Sequence, residues 1–166
     1  MKTGPLKKTT DNQRPKPSAR NKMMDLLARR DHSEKEIRQK LKEKFTKDEI
    51  DQVIEYGKRA RWIPDSDAAQ SALAEKMAEA LRRKGKGIRY INSYLAKKGL
   101  PPVSSNSEEE LEKARTLIEN KFSDSKTLDR KKTAEEKNKL RAKMGNFLVS
   151  RGFDMEIVRK VIYEKC

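Results

Sequence analysis

Apolar residues recur along this chain at spacings of three and four, the period of a helix that buries one face. Leu73, Met77, Ala80 and Leu81 form one such set, and Met144, Phe147 and Leu148 another. No segment shows the strict alternation of a half-buried strand. The pattern predicts helices near 20–30, 33–44, 46–61, 65–84, 87–98, 107–122, 133–151 and 154–164. Four Ser/Thr-x-x-Glu boxes stand at the heads of these segments: Ser33 with Glu36, Thr46 with Glu49, Ser107 with Glu110, and Thr133 with Glu136. In such a box the hydroxyl accepts from an unpaired N–H at the helix start while the Glu reaches back. Asp65 and Asp154 are candidate caps for two further helices. Gly85, Gly87 and Gly152 sit at breaks where a left-handed residue would end a helix. The stretch 99–106, with Pro101 and Pro102, reads as a linker, and 124–132 as a second loose connection.

The same helix pair occurs three times. Met23, Leu27, Arg30, Ile37 and Leu41 recur with identical spacing as Met77, Leu81, Lys84, Ile91 and Leu95, and again as Met144, Leu148, Arg151, Val158 and Ile162. Repetition at this scale signals stacked units, none able to bury its apolar face alone. The fold class is therefore all-α, an elongated tandem array of a repeated helix–turn–helix pair, with a third helix following the first copy. A basic N-terminal arm is expected over 1–19, followed by repeats over 20–63, 64–122 and 123–166. The matched apolar positions should zip each pair together, so that Leu81→Ala would cost roughly 2–5 kcal/mol.

Composition narrows what such an array does. Charged residues make up 40% of the chain, aromatics 5%, and the formal net charge is +15. That balance favours several thin helix interfaces over one large core, and polyanionic or acidic partners; a merely solvated Lys-rich surface is the plainer alternative. One His, His32, and one Cys, Cys166, leave no set for a zinc site, an intrachain disulfide or a Cys/His nucleophile. His32 reads as a turn residue, and no cofactor, metal or enzymatic activity is expected. No apolar run is long enough to cross a bilayer and the N-terminus lacks a secretory h-region, so a cytoplasmic monomer is expected.

Arg30, Lys84 and Arg151 stand three residues after the packed Leu in every copy. Cations there complement the negative end of a helix dipole; they would also make a row of anion contacts, one per repeat. The strongest basic block is central. From Ala80 to Ser107 there is no carboxylate, while Arg82, Arg83, Lys84, Lys86, Arg89, Lys97 and Lys98 are all basic. The block straddles a Gly-x-Gly turn at the start of a helix, where free N–H groups would add to a phosphate or carboxylate site. It is not a P-loop, because the Gly-x4-Gly-Lys-Ser/Thr spacing and its strand are missing. Tyr90 follows, suited to stacking on a base or to packing between helices. Trp62 is expected to plug the joint between the first two repeats, with a binding hot spot as the other reading.

Three stretches resemble the RecX family of RecA regulators. The first is Leu26-Leu27-Ala28-Arg29-Arg30-Asp31-His32-Ser33-Glu34-Lys35-Glu36-Ile37, ending at Leu41. The second is Arg83-Lys84-Gly85-Lys86-Gly87 with Arg89, Ile91, Leu95, Lys97, Lys98 and Gly99. The third is Phe147-Leu148-Val149-Ser150-Arg151-Gly152-Phe153 with Ile157. Together they span about residues 20–164. The chain departs from the family pattern at Pro64, Asp65 and Ala68, where an acidic pair and an aromatic are common, at Ile88 in place of Pro, and at Lys86 in place of an aromatic. The resemblance implies that a three-helix, helix-turn-helix-like unit is the general repeat, the units lying along the groove of a RecA–DNA filament and lowering its ATPase, strand-exchange and coprotease activities. It also implies weak, salt-dependent contact with single- and double-stranded DNA. A free-standing basic helical module for DNA or RNA is the alternative.

Overall fold

The computed structural model describes residues 18–123 and 133–165. The expected arm up to residue 17, the connection 124–132 and Cys166 lie outside the described residues. Among those described, every regular element is a helix: α1 (Ala19–Leu27), α2 (Glu34–Leu41), α3 (Lys47–Arg59), α4 (Asp67–Arg83), α5 (Ile88–Lys98), α6 (Ser107–Lys121), α7 (Ala134–Arg151) and α8 (Met155–Lys165). No helix is long and apolar enough to cross a membrane.

Local chemistry sets the starts. Ser33, Thr46 and Thr133 form complete capping boxes with Glu36, Glu49 and Glu136. Ser66, not Asp65, caps α4, its hydroxyl accepting from the Ala69 N–H. The fourth expected box does not form. Asn106 caps α6, so Ser107 is already the first helical residue and Glu110 lies one position too far along to reach back. Ala19, expected in the arm, opens α1 and is buried.

Three separate apolar cores follow one another along the chain. Met23, Ile37, Leu41, Ile50, Ile54 and Ile63 build the first. Leu73, Ala74, Ala78, Ile91, Leu95, Leu100 and Val103 build the second. Ala114, Ile118, Met144, Leu148, Phe153, Ile157, Val158 and Val161 build the third. All twelve repeated apolar positions lie in these cores or against them. In the second unit, however, Ala74 and Ala78 take the innermost places and Met77 and Leu81 are only partly buried.

Two boundaries differ from the sequence expectation. Helix α6, expected to close the second repeat, puts Ala114 and Ile118 into the third core with α7 and α8. The second unit is closed instead by the 99–106 stretch, which is no loose linker. Leu100 and Val103 are buried, and the Asn92 amide grips the Val103 backbone from both sides, accepting from its N–H at 2.9 Å and donating to its carbonyl at 3.1 Å. An extended segment pinned by one side-chain amide thus does the covering job of a helix.

The burial differences set the first test. Leu95 is fully buried, so Leu95→Ala should destabilise by about 2–5 kcal/mol, whereas Leu81→Ala should cost less than about 2 kcal/mol. Urea unfolding followed by circular dichroism checks the order; equal losses would contradict this packing.

Candidate functional site

The central Gly-x-Gly turn was expected to offer free N–H groups to an anion. In the structure the third unit occupies them. Gly87 N–H donates to the Arg151 carbonyl at 2.9 Å and Arg89 N–H to the Gly152 carbonyl at 3.0 Å. Between them, Ile88 N–H donates to Glu110 Oε2 at 3.2 Å. Helix α5 has no side-chain cap of its own, so Glu110 of α6 supplies one across the joint. The stitching is reciprocal. Arg151 Nη1 donates to the carbonyls of Lys84 at 3.1 Å and Gly85 at 3.4 Å, covering the negative end of α4.

Glycine makes the approach possible. Gly152 has φ +82°, and a Cβ there would fall 2.4 Å from the backbone N of Tyr90. Gly87 is not left-handed, contrary to expectation. Its φ is −85°, and its missing Cβ matters because it would lie 2.5 Å from the Gly152 carbonyl oxygen.

The first joint is ionic. Glu36, 2% exposed, receives Arg30 Nη2 at 2.8 Å, and Lys98 Nζ donates to the same carboxylate. Ser33 Oγ donates to the Lys98 carbonyl at 2.5 Å, so the α2 cap also touches the end of α5. His32 is the turn residue expected. It is buried, its Nδ1 lies 2.9 Å from the Arg30 carbonyl and therefore donates to it, and burial lowers its pKa. Helix α1 ends at Leu27, leaving Arg30 beyond the helix rather than in its last turn.

The expected basic residues therefore divide by use. Arg30 and Lys98 serve Glu36, and Arg151 serves the α4 terminus, so the three repeated cations make no common row of open anion contacts. Arg82 pairs with Glu75 at 3.2 Å and donates to the Ser104 carbonyl at 2.9 Å. Lys86 rests 4.3 Å from the centre of the Tyr90 ring. Arg83, Lys84, Arg89 and Lys97 are exposed, without a charge partner among the described residues. Arg83 and Lys84 border a shallow hollow that also holds Glu109 and Glu112, so its charge is mixed.

Arg89 and Lys97 belong together. With Ser93 they fall at successive four-residue steps on one face of α5, about 12 Å apart along the axis. They line an open groove of about 400 Å³ with Tyr90 and Tyr94, whose far wall is Val149 to Phe153 of the third unit. Sequence alone located the cations but could not separate these two from Lys98 and Arg151, whose partners Glu36 and Lys84 lie more than sixty residues away, or from Arg82, which reaches Ser104 as well as Glu75 and Glu79 on its own helix. The groups of histidine, cysteine and carboxylates that hold a metal ion are absent among the described residues.

Three consecutive helical units, joined turn to turn, define a tandem helical-repeat protein. Residues 19–56 match the family model of the first three-helix domain of RecX, and residues 108–162 match that of its third three-helix domain. The second match contains α6 together with α7 and α8, as the packing does. The regulatory protein RecX of Acinetobacter baylyi is 32% identical over 143 residues, 83% of this chain and 82% of that one. The regulatory protein RecX of Clostridioides difficile is 30% identical over 145 residues, and that of Staphylococcus aureus 28%. This chain spans only 66% and 52% of their respective lengths. A crystal structure of RecX from Lactobacillus salivarius has the same fold, with a TM-score of 0.67 at 20% identity over 89% of this chain and 94% of that one. The chain belongs to the RecX family of regulatory proteins.

The two joints respond to pH in opposite senses. Burial raises the pKa of Glu36, but hydrogen bonds from Arg30, Lys98 and the Ser33 N–H outweigh it and hold the carboxyl at about 2. A lowered pKa contributes stability above the ordinary value of 4.5, lost as pH falls toward 2. At about 1.4 kcal/mol per pH unit, Glu36 contributes no more than about 3.5 kcal/mol. Glu36→Gln should therefore lower neutral-pH stability by about 2 kcal/mol and flatten the acid limb of a stability–pH curve. Burial raises the pKa of Glu110, the Ile88 N–H only partly opposing it. Its contribution is present at low pH and lost as pH rises through that raised value. Glu110→Gln keeps an acceptor for the Ile88 N–H and removes the buried charge. Its neutral-pH stability should equal or exceed that of the parent, whereas a clear loss would show that the charge itself holds the joint.

Proposed function

We propose that this RecX-family protein binds along a RecA–DNA filament and lowers its ATPase activity, with the α5 groove as its central contact. The observation that carries this reading is the pairing of Arg89 and Lys97 on one open helix face with no charge partner among the described residues. A cationic groove at the joint between two units suits an acidic or phosphate-lined ridge that runs past several units. Contacts of this kind guide encounter and weaken with salt. A protein bridging neighbouring protomers would hold them against the conformational steps of ATP turnover. Strand exchange and coprotease activity, which depend on the same filament, would fall with it. The family relationship supports a regulatory role.

The test is the DNA-dependent ATPase rate of a cognate RecA filament titrated with this protein at fixed salt. The parent should inhibit. The Arg89→Glu/Lys97→Glu double variant should need roughly tenfold more protein for the same inhibition, as expected for losing two exposed charge contacts. Its circular dichroism should not change, because neither side chain holds a joint and the Arg89 N–H that does is kept. Undiminished inhibition by the double variant would move the contact elsewhere. Tight binding to bare DNA with no effect on the ATPase would favour the free-standing nucleic-acid module.

A further inference from the structure

The sole tryptophan was expected to plug the joint between the first two units, but Ile63 points into the core instead. Ile63 is 1% exposed and Trp62 is 43% exposed. The turn after α3 enforces that exchange. Arg61 takes φ +56°, the one positive φ outside glycine among the described residues. The N–H groups of Trp62 and Ile63 both donate to the Gly57 carbonyl, at 2.9 and 3.2 Å. A left-handed arginine is disfavoured, because its Cβ crowds the backbone carbonyl. Gly57 lets Ile63 settle, since a Cβ there would fall 2.7 Å from Ile63 Cδ1. Backbone strain is thus spent on a conformation that leaves an indole in solvent.

The indole does not stand alone. Tyr56 meets it edge to face, with ring centres 5.5 Å apart. Arg20 lies 4.0 Å from the Tyr56 ring centre and donates to its hydroxyl at 2.5 Å, fixing that ring. An edge-to-face neighbour occupies at most one face of the indole. Arg59, one helical turn after Tyr56 on α3, and Arg61, next to Trp62 in the chain, are both exposed and without a charge partner among the described residues. The nearby carboxylates are Glu55, 3.6 Å from Lys58, and exposed Asp65.

We propose that the Tyr56–Trp62 edge of the first unit, together with Arg59 and Arg61, is a base-stacking site for single-stranded nucleic acid. Flat π surfaces beside uncompensated cations fit a strand that offers an unpaired base and its phosphates together. A duplex keeps its bases stacked on one another and offers only the phosphates. Tyr, Trp and Arg also anchor protein interfaces; what favours a polyanion here is that Arg59 and Arg61 have no charge partner among the described residues. The site lies in the first unit, away from the α5 groove, and does not rest on the filament reading.

Because Trp62 is the only tryptophan, the emission of the full chain reports this site alone. An oligothymidylate of about 15 nucleotides, near the upper site size of small strand-binding modules, should quench that emission saturably at low salt and shield it from iodide. Inorganic polyphosphate and a duplex of equal length should leave it nearly unchanged. With labelled oligonucleotide and anisotropy as the readout, Trp62→Ala should weaken binding roughly ten- to a hundredfold. Arg59→Glu/Arg61→Glu should weaken it at least about tenfold and reduce its salt dependence. The circular dichroism of each variant should match the parent. Three results would each overturn the proposal. These are quenching by polyphosphate equal to that by the oligonucleotide, unchanged affinity in Trp62→Ala, and an indole that iodide cannot reach before any oligonucleotide is added. The last would mean that another part of the chain, or a second copy, already covers the edge.

Discussion

Units with cores this small cannot be held in line by apolar contact alone, and the ends of their helices impose the controlling constraint. Each helix leaves N–H groups at its start and carbonyls at its end that must find partners. Here the partners come from the next unit. The α5 amides are met by the Arg151 and Gly152 carbonyls and by Glu110, while the Lys84 and Gly85 carbonyls just past α4 are met by the Arg151 side chain. Satisfying these groups and fixing the angle between units are one event. The glycines follow from this, because Gly87 and Gly152 approach too closely for a Cβ on either. Hydrogen bonds also demand a single geometry where an apolar patch would tolerate sliding.

The first joint meets the same need with charge. Glu36 belongs to the capping box of α2 and is also the shared acceptor for Arg30 and Lys98. One carboxylate therefore starts a helix, closes the α1–α2 turn and holds the second unit. Its burial would be costly without those cations, so they are bound into the joint rather than left for a partner. At the second joint the buried carboxylate has a single N–H donor, and Glu110 Oε1 has no hydrogen-bond partner. The first joint therefore tightens on ionisation of its carboxylate and the second loosens.

The helices, their order and the repeated apolar positions were legible in the sequence because a 3.6-residue period and a capping box are local. The same logic failed at Glu110, where the box spacing from Ser107 is correct but Asn106 begins the helix one residue sooner. Nothing local marks that competition, and the glutamate turned away from its own cap serves α5 instead. The membership of α6 was hidden for a similar reason. The repeat suggests that it closes the second unit, yet Leu100 and Val103 already fill that place under the Asn92 clamp. The cations were the least legible. A basic residue reads the same whether it faces solvent or a carboxylate sixty residues away.

That division of cations bears on how such an array can carry a large net positive charge and still stack. Like charges on neighbouring units repel, and the closest approaches are where the repulsion would be worst. At the first joint Arg30 and Lys98 converge on a carboxylate, and at the second Arg151 is placed on carbonyl oxygens. The cations whose side chains reach into a joint are therefore compensated by it. Those left unpaired, Arg89 and Lys97 on α5 and Arg59 and Arg61 after α3, sit on faces where solvent screens them from one another. Uncompensated charge there costs little stability. It is also the charge still available to a polyanion, since a cation already committed to a buried carboxylate would have to abandon that carboxylate before it could bind anything else.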